Sequence, residues 1–258
     1  MLRFKILGSG SSGNAMVVEA GSANGFTRVL VDCGLPLRQL DERLALAGLS
    51  ADAIDAVFIT HEHSDHIGHA RQFALRWRTP VWMSHGTHAA MGSPDFDGLL
   101  MRACDCTSIQ IKDLQIMPFT VPHDAQEPLQ LVISDTSKRL GILTDLGHAT
   151  PHVIEQLAGC HALILECNHD PDLLASSSYP EFLKRRVGGR FGHLSNDQAA
   201  GIATAVCHDG LKHLIAAHLS ERNNHPELAI QTLARATGRD PSEIVAAHPA
   251  SGTVWLQL

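Results

Sequence analysis

At 258 residues and 44% hydrophobic content, the chain can bury a sizeable core, and folds of this length can be a single domain. A net charge of −7 argues against a surface coated in positive potential for long nucleic acids, although a local basic run escapes that argument. No stretch approaches the roughly 18 to 20 uninterrupted apolar residues of a membrane-spanning helix, and the opening Met1-Leu2-Arg3-Phe4-Lys5-Ile6 has too short an apolar run for a signal peptide.

In chain order, Leu2 to Leu7 reads as a strand that leads into Gly8-Ser9-Gly10-Ser11-Ser12-Gly13. That loop fits G-x-G-x-x-G, and Asp32 follows at about the distance of a ribose-binding acid, but the helix that a dinucleotide-binding unit requires is missing. Ala15 to Glu19 and Arg28 to Asp32 are β-prone around a turn at residues 21–25, which makes a hairpin. Leu37 to Leu49 carries leucines near helical spacing, with Gly48 where a helix could end. Ala56-Val57-Phe58-Ile59 is a buried strand, Ile67 to Trp77 a helix and Pro80 to Met83 a strand. Strands are expected over Ile109 to Thr120, Leu129 to Ser134, Arg139 to Thr144, Ala162 to Glu166 and Leu211 to Ala217. Helices are expected over Pro151 to Ala158, Asp197 to His208 and Pro226 to Thr237, with a last strand at Thr253 to Leu256. No repeat, long linker or low-complexity segment divides this pattern. β-rich and then mixed α/β character predicts one α/β (α+β) domain over residues 1–258, a four-layer αββα sandwich. Six cysteines, Cys33, Cys104, Cys106, Cys160, Cys167 and Cys207, lack framework spacing, which fits a reducing cytoplasmic setting. The pair Cys104-x-Cys106 reads as ordinary thiols.

The chemistry concentrates in Thr60-His61-Glu62-His63-Ser64-Asp65-His66, where the buried strand ends and the backbone must turn. Open α/β sheets place ligands at such strand ends. The chain has 17 histidines, so some clustering is expected by chance, but four donors at H-x-H-x-D-H spacing behind one strand are a different matter. The spacing can split its donors between two ions, with His61 and His63 reaching one and Asp65 and His66 the other. His61-Glu62 opens like H-E-x-x-H, yet the fifth position is Asp65, so the zincin pair is absent. Four later strands also end in polar residues that can bind metal: His123 with Asp124, Asp145, Glu166 and His218. Together they predict one rim to which several loops contribute. The run Lys184-Arg185-Arg186 with Arg190 reads as a local basic cluster, its alternative being a solvated helix face.

This motif set resembles the metallo-β-lactamase-fold hydrolases. The resemblance implies that His123 is the third imidazole of the first metal, Asp145 a bridging carboxylate and His218 the last ligand of the second. The implied sets are His61, His63, His123 and Asp145 on one ion, and Asp65, His66, Asp145 and His218 on the other. Each keeps an open position for a bridging hydroxide, as catalytic sites do. Asp32 is implied as support behind the metal loop. A carboxylate rather than cysteine follows His123, which points away from β-lactamase chemistry. Gly192-His193-Leu194-Ser195-Asn196 with Leu165-Glu166-Cys167-Asn168-His169-Asp170 resembles the phosphodiesterase branch, in which a Glu and a His form a dyad that protonates the leaving group; Glu166 and His193 match it, and Asp65 is counted with them as catalytic.

Adding Leu7 to Asn14, Val121-Pro122-His123-Asp124-Ala125, Thr144-Asp145-Leu146-Gly147 and Ala217-His218-Leu219-Ser220, the chain is similar over nearly its whole length to the bacterial YycJ/WalJ-like family, in which DNA exonuclease activity occurs. This implies a dinuclear phosphodiesterase, a nuclease with DNA favoured, holding two divalent ions (Zn or Mn, or else Fe). Ser11, Ser12 and Asn14 are candidate phosphate contacts, and Lys184, Arg185, Arg186 and Arg190 candidate neutralisers of phosphate. A hydrolase of small or cyclic phosphodiesters, and a non-catalytic regulatory binding protein on the same fold, are the other expectations. Nucleic acid or another phosphodiester is the expected partner, with no membrane.

Overall fold

A computed structural model describes residues 1–22 and 25–258. β1 (Leu2–Gly8), β2 (Ala15–Ser22) and β3 (Gly25–Val31) form an antiparallel meander, with Phe4 opposite Val18 and Met16 opposite Val31. The hairpin is therefore as expected, while residues 23–24 of its anticipated turn lie outside the described residues. From β3 onward the chain crosses over through α1 (Leu37–Leu46), α2 (Ser64–Ile67), α3 (Ala70–Trp77) and α4 (His85–Ala90), adding β4 (Ala56–Phe58), β5 (Val81–Met83) and β6 (Leu100–Arg102) in parallel. The short β14 (Leu256–Gln257) closes the opposite edge against β1.

The second sheet begins antiparallel with β7 (Ile109–Ile111), β8 (Leu114–Thr120), β9 (Leu129–Ser134) and β10 (Arg139–Leu143). It ends parallel with β11 (Ala162–Glu166), β12 (His213–Ala217) and β13 (Ile244–Ala246). α5 (Pro151–Leu157), α8 (Asn196–Val206) and α9 (Pro226–Thr237) cover its outer face, and α6 (Pro171–Ser176) and α7 (Glu181–Val187) lie in the connection before α8. Successive side chains on a strand point to opposite faces. Phe4, Val18, Val29 and Phe58 of one sheet thus meet Ile116, Leu131, Ile142, Ile164 and Ile215 of the other, while Leu30, Val57 and Val81 turn outward onto Leu40, Leu44 and Phe73 of α1 and α3. Both faces of each central strand are buried, which is why Ala56 to Ile59 and Ala162 to Leu165 read as continuous apolar runs. Each fully buried Leu, Ile or Phe contributes about 1.5–3 kcal/mol. The layers are α, β, β, α, as the pattern predicted.

The strand expected over Ile109 to Thr120 is two strands. Lys112 adopts φ 47 and the chain reverses, so that Ile111 pairs with Leu114. A left-handed turn at Lys is uncommon and gives no sequence signal. The helix expected from Ile67 starts earlier and breaks at Gly68, whose φ is 27. The terminal strand is displaced to Leu256–Gln257, because Thr253 is pinned by its hydroxyl, which accepts a hydrogen bond from Ile6 N at 3.1 Å. α4, β6, α6, α7 and β13 were not anticipated. No helix among the described residues is long and apolar enough to cross a membrane.

Candidate metal centre

Six apolar strands end at one rim. β3 delivers Asp32, β4 the Thr60–His66 loop, β8 His123, β10 Asp145, β11 Glu166 and β12 His218. Asp32, Asp145 and His218 have φ of 61°, 59° and 53°, the left-handed region. Asp and His tolerate it better than most residues, yet such positions cost of order 1–3 kcal/mol and persist only where surroundings fix them. Those surroundings are visible. Asp32 Oδ1 accepts from Thr60 N at 2.9 Å, His218 N donates to Ser9 Oγ at 2.8 Å, and Asn168 Nδ2 donates to the His218 carbonyl at 3.2 Å.

Three groups of donors converge, His61 with His63 and His123, His61 with His66 and Asp145, and Asp65 with His66 and His218. His61 Nε2 lies 3.0 Å from His63 Nδ1, which lies 3.2 Å from His123 Nε2. A carbonyl only accepts, so His123 Nδ1 donates to Gly192 O at 2.9 Å and its Nε2 carries a lone pair inward. His66 Nδ1 is paired in the same way with Asp32 Oδ2 at 2.8 Å, and His218 Nδ1 with Glu166 Oε1 at 3.0 Å. Outer-shell oxygens that fix the tautomer of inward-facing imidazoles are the usual surroundings of metal-ligating histidines. His66 Nε2 then stands 2.8 Å from Asp145 Oδ2, and that oxygen is buried without a well-directed hydrogen bond. Lone pairs aimed at a buried carboxylate need a cation between them, so the residues fit divalent metal.

Electrostatics lead to the same conclusion. Burial, and then the neighbouring His66, hold His61 well below the usual imidazole range, which favours its neutral form. Burial also lowers His123. For His66 burial opposes the imidazolium, but Asp145 and Asp32 outweigh it and the pKa stands well above 6.5. His218, likewise buried, is pushed up to about 9, mainly by Asp145. Without a cation, protons take up the positions a metal would hold.

Glu166 is fully buried. Its Oε1 also lies 2.8 Å from His193 Nδ1, and its Oε2 accepts from Leu146 N at 2.9 Å and Leu194 N at 3.1 Å. Burial would raise this carboxyl; His193 and the other hydrogen bonds prevail and lower it to about 2. Reciprocally, burial disfavours the His193 imidazolium, but Glu166 and Asp145 hold its pKa well above 6.5. Asp145, Glu166, His193 and His218 also form a fourth converging group.

The Gly8–Asn14 loop is a buttress. Asn14 N donates to Asp65 O at 2.7 Å, and its side-chain amide lies 3.2 Å from Asp65 Oδ2 and 3.0 Å from His66 Nε2. Asn14 is only 4% exposed. The expected phosphate contact is therefore not available to it, because its amide oxygen accepts from Gly10 N at 2.8 Å within its own loop and its amide nitrogen is turned inward onto Asp65 and His66. Ser11 does line the cleft; Ser12 is exposed outside the lining. Of the four basic residues, Arg186 alone lines the cleft. Its Nε donates to Asp124 Oδ2 at 2.8 Å, and Asp124 Oδ1 lies 3.7 Å from His63 Nε2. Lys184 is folded back, donating to Ala175 O at 2.6 Å, while Arg185 and Arg190 are exposed away from the lining. Asp124, singled out in the sequence beside His123, lines the cleft, and so do Tyr179 and Leu183, for which the sequence carries no signal. Away from the cleft, Cys106 gathers with Asp105 and His152, and Cys104 is not among them.

Residues 27–219 match the family model of the beta-lactamase superfamily domain. The chain is 32% identical to the exodeoxyribonuclease YycJ of Bacillus anthracis over 233 residues, covering 88% of this chain and 86% of the relative. It is 31% identical to the exodeoxyribonuclease WalJ of Streptococcus pneumoniae serotype 2, covering 90% and 86%. The metallo-beta-lactamase fold protein YhfI of Bacillus subtilis superposes over the full length of both chains with a TM-score of 0.78 at 17% identity, which speaks for the fold.

Proposed function

The chain belongs to the beta-lactamase superfamily, in the branch of its YycJ and WalJ relatives, and is a metal-dependent hydrolase; on that footing we propose that it is a dinuclear phosphodiesterase that removes nucleotides from the end of a DNA strand. The observation that carries this reading is the Glu166–His193 pair beside three converging donor groups, with His193 facing the cleft. In this reading His61, His63 and His123 hold one ion, Asp65, His66 and His218 the other, and Asp145 reaches both. When bound, two divalent ions, zinc or manganese by the donor set, supply a water of lowered pKa and offset the charge that develops on phosphorus.

The chain's own residues do the rest. His193 is charged at neutral pH, because Glu166 stays ionised beneath it, and so it holds a proton at the cleft. Among the described residues its Nε2 has no protein partner, and we assign that atom to protonate the departing sugar oxygen. Glu166 orients the ring through Nδ1 and braces His218 with the same oxygen, which ties proton donor and ligand to one carboxylate. Arg186 supplies positive charge to the same cleft, held in place by Asp124. Asp32 and Asn14 keep His66 and Asp65 in position. Six unpaired thiols support a cytoplasmic setting.

The test is leaving-group dependence in His193→Ala. General acid catalysis is worth about 10²–10⁴-fold, and that loss is expected on end-labelled DNA, whose alkoxide leaving group needs a proton. Bis-p-nitrophenyl phosphate releases a phenolate that needs none, and should be affected much less. Equal losses on both would assign His193 to binding, and a metal-depleted variant would make it a ligand. Turnover of the small diester alone by the unaltered protein would favour a small-phosphodiester hydrolase, and turnover of neither a binding protein.

A further inference from the structure

The loop between β6 and β7 meets the first turn of α5, and three ligating side chains come together there. One ligand atom each from Asp105, Cys106 and His152 lies within 4.8 Å of the other two. The sequence sets Cys106 beside Cys104, but the fold supplies His152 in its place, from a separate element. His152 Nε2 is buried without a hydrogen-bond partner and stands 3.6 Å from Asp105 Oδ1. That separation is too long for a hydrogen bond, yet it is close to the spacing of about 3.3–3.5 Å between nitrogen and oxygen ligands of one tetrahedral zinc ion. The donors are also held in place. Asp105 Oδ1 accepts from Thr120 N at 2.7 Å and Cys106 N donates to Pro118 O at 2.9 Å, which fastens the loop to β8. The Thr150 hydroxyl caps α5 by accepting from Val153 N at 3.2 Å, and the His152 ring packs edge-on against Phe119. Gln156, one turn further along α5, donates its side-chain amide to Cys106 Sγ at 3.8 Å. Outer partners of this kind orient metal ligands.

We infer that Asp105, Cys106 and His152 form a further metal site, separate from the hydrolytic centre, that takes a zinc-class divalent ion. A thiolate with an imidazole selects a borderline-soft ion over magnesium, calcium or manganese. Three protein ligands leave a fourth position open, and Asp105 and His152 also line a surface cavity that gives it access to water. Slight burial and then the Asp105 carboxylate hold the Cys106 thiol above its ordinary range; a dication between the two turns that repulsion into attraction, since a coordinated thiol gives up its proton. A solvated polar surface is the competing account. It does not explain a buried imidazole nitrogen left without a partner beside a carboxylate and a thiol. A bound ion ties the β6–β7 loop to α5. Through Thr120 N it bears on the strand that leads to His123, a donor of the hydrolytic centre.

Cobalt(II) reads this site selectively. The donor groups of the hydrolytic centre include no cysteine, so a thiolate-to-cobalt charge-transfer absorption in the near ultraviolet reports Cys106 and not the cleft. Metal-free protein with its thiols reduced is titrated with Co²⁺ under anaerobic conditions, and bound cobalt is counted by elemental analysis. The band should appear in the unaltered protein and in Cys104→Ser. It should vanish in Cys106→Ser, which should hold one cobalt fewer per chain. His152→Ala should weaken the binding that produces the band by at least the about 10–100-fold that loss of an outer partner costs, and it carries the test should the serine variant misfold. Added Zn²⁺ should bleach the band, because zinc outranks cobalt at a shared ligand set. Absence of the band from the unaltered protein, its survival in Cys106→Ser, its loss in Cys104→Ser, unchanged binding in His152→Ala or resistance to zinc would each overturn the inference. None of these results bears on the hydrolytic centre, which turnover of the small diester reads separately.

Discussion

Gly34→Ala is a test of how tightly the metal loop is wedged. A Cβ on Gly34 would sit 1.8 Å from the Asp65 carbonyl oxygen, 2.4 Å from its carbon and 2.9 Å from Asn14 N. Gly34 does not have a positive φ, so one methyl group is added without backbone strain. To restore ordinary van der Waals contact, Asp65 O must retreat by about 1.6 Å, and all three obstructing atoms are backbone. Metal–ligand distances tolerate shifts of only about 0.2 Å, so a displacement several times larger detaches Asp65 and turns His66 away from its partners. Overpacking of this kind costs about 1–3 kcal/mol of stability, which a fold of this size survives. Metal affinity should fall by about 10–100-fold, as for disrupted outer-shell partners, and activity by about 10²-fold or more. Competition against a chelator reads the first and steady-state turnover the second, with circular dichroism confirming the fold. An alanine variant that retains both metal affinity and activity would refute the wedge, and with it the assignment of the glycine-serine loop as scaffold.

Asp145→Ala should lose metal from both positions, whereas His218→Ala should preferentially empty one; elemental analysis of purified protein checks this, and two ions retained by Asp145→Ala would take Asp145 out of the site. Metal affinity should rise with pH from 7 toward 9. The reason is that the metal-free fold keeps a proton on His218 up to about 9 and on His66 well above 6.5, and each must leave for the ligand to bind. The sign is fixed by those raised values: the charged imidazoles are favoured below them, so chelator competition that gives pH-independent affinity over this window would contradict the proposed ligands. Arg186→Gln should raise KM for a polynucleotide and lower the salt slope by about one, while Lys184→Gln, whose ammonium is folded back onto Ala175 O, should change neither appreciably.

The strand ends were legible because burial on both faces leaves an unmistakable apolar run, and a charged residue directly after it has only the rim to occupy. His61 to His66, His123, Asp145, Glu166 and His218 were all found in that way. Asn14 was not, since a Gly/Ser loop that cradles an anion and one that buttresses a neighbouring loop have the same composition; only the inward turn of its amide separates them. The basic run failed to sort itself for a related reason. α7 buries nothing, so it has no amphipathic pattern from which to tell Arg186 on the cleft from Arg185 beside it. The break at Lys112 was hidden because a left-handed lysine carries no turn signature, and the merged strand Ile109 to Thr120 followed.

Three of the converging donor groups draw on both sheets: His61 and His63 meet His123, His61 and His66 meet Asp145, and Asp65 and His66 meet His218. A nascent chain presents its N-terminal half first, so the Thr60–His66 donors emerge with no partner sheet to face. At that stage no ion can gather a complete set, and the last donor arrives only with β12. Loading must therefore follow docking of the two halves, and a bound ion then acts as a fastener across the seam between them. Withdrawing metal from the mature protein should loosen that seam before either sheet frays, so faster amide exchange should show first at the ends of β4, β10 and β12 rather than in the strand centres.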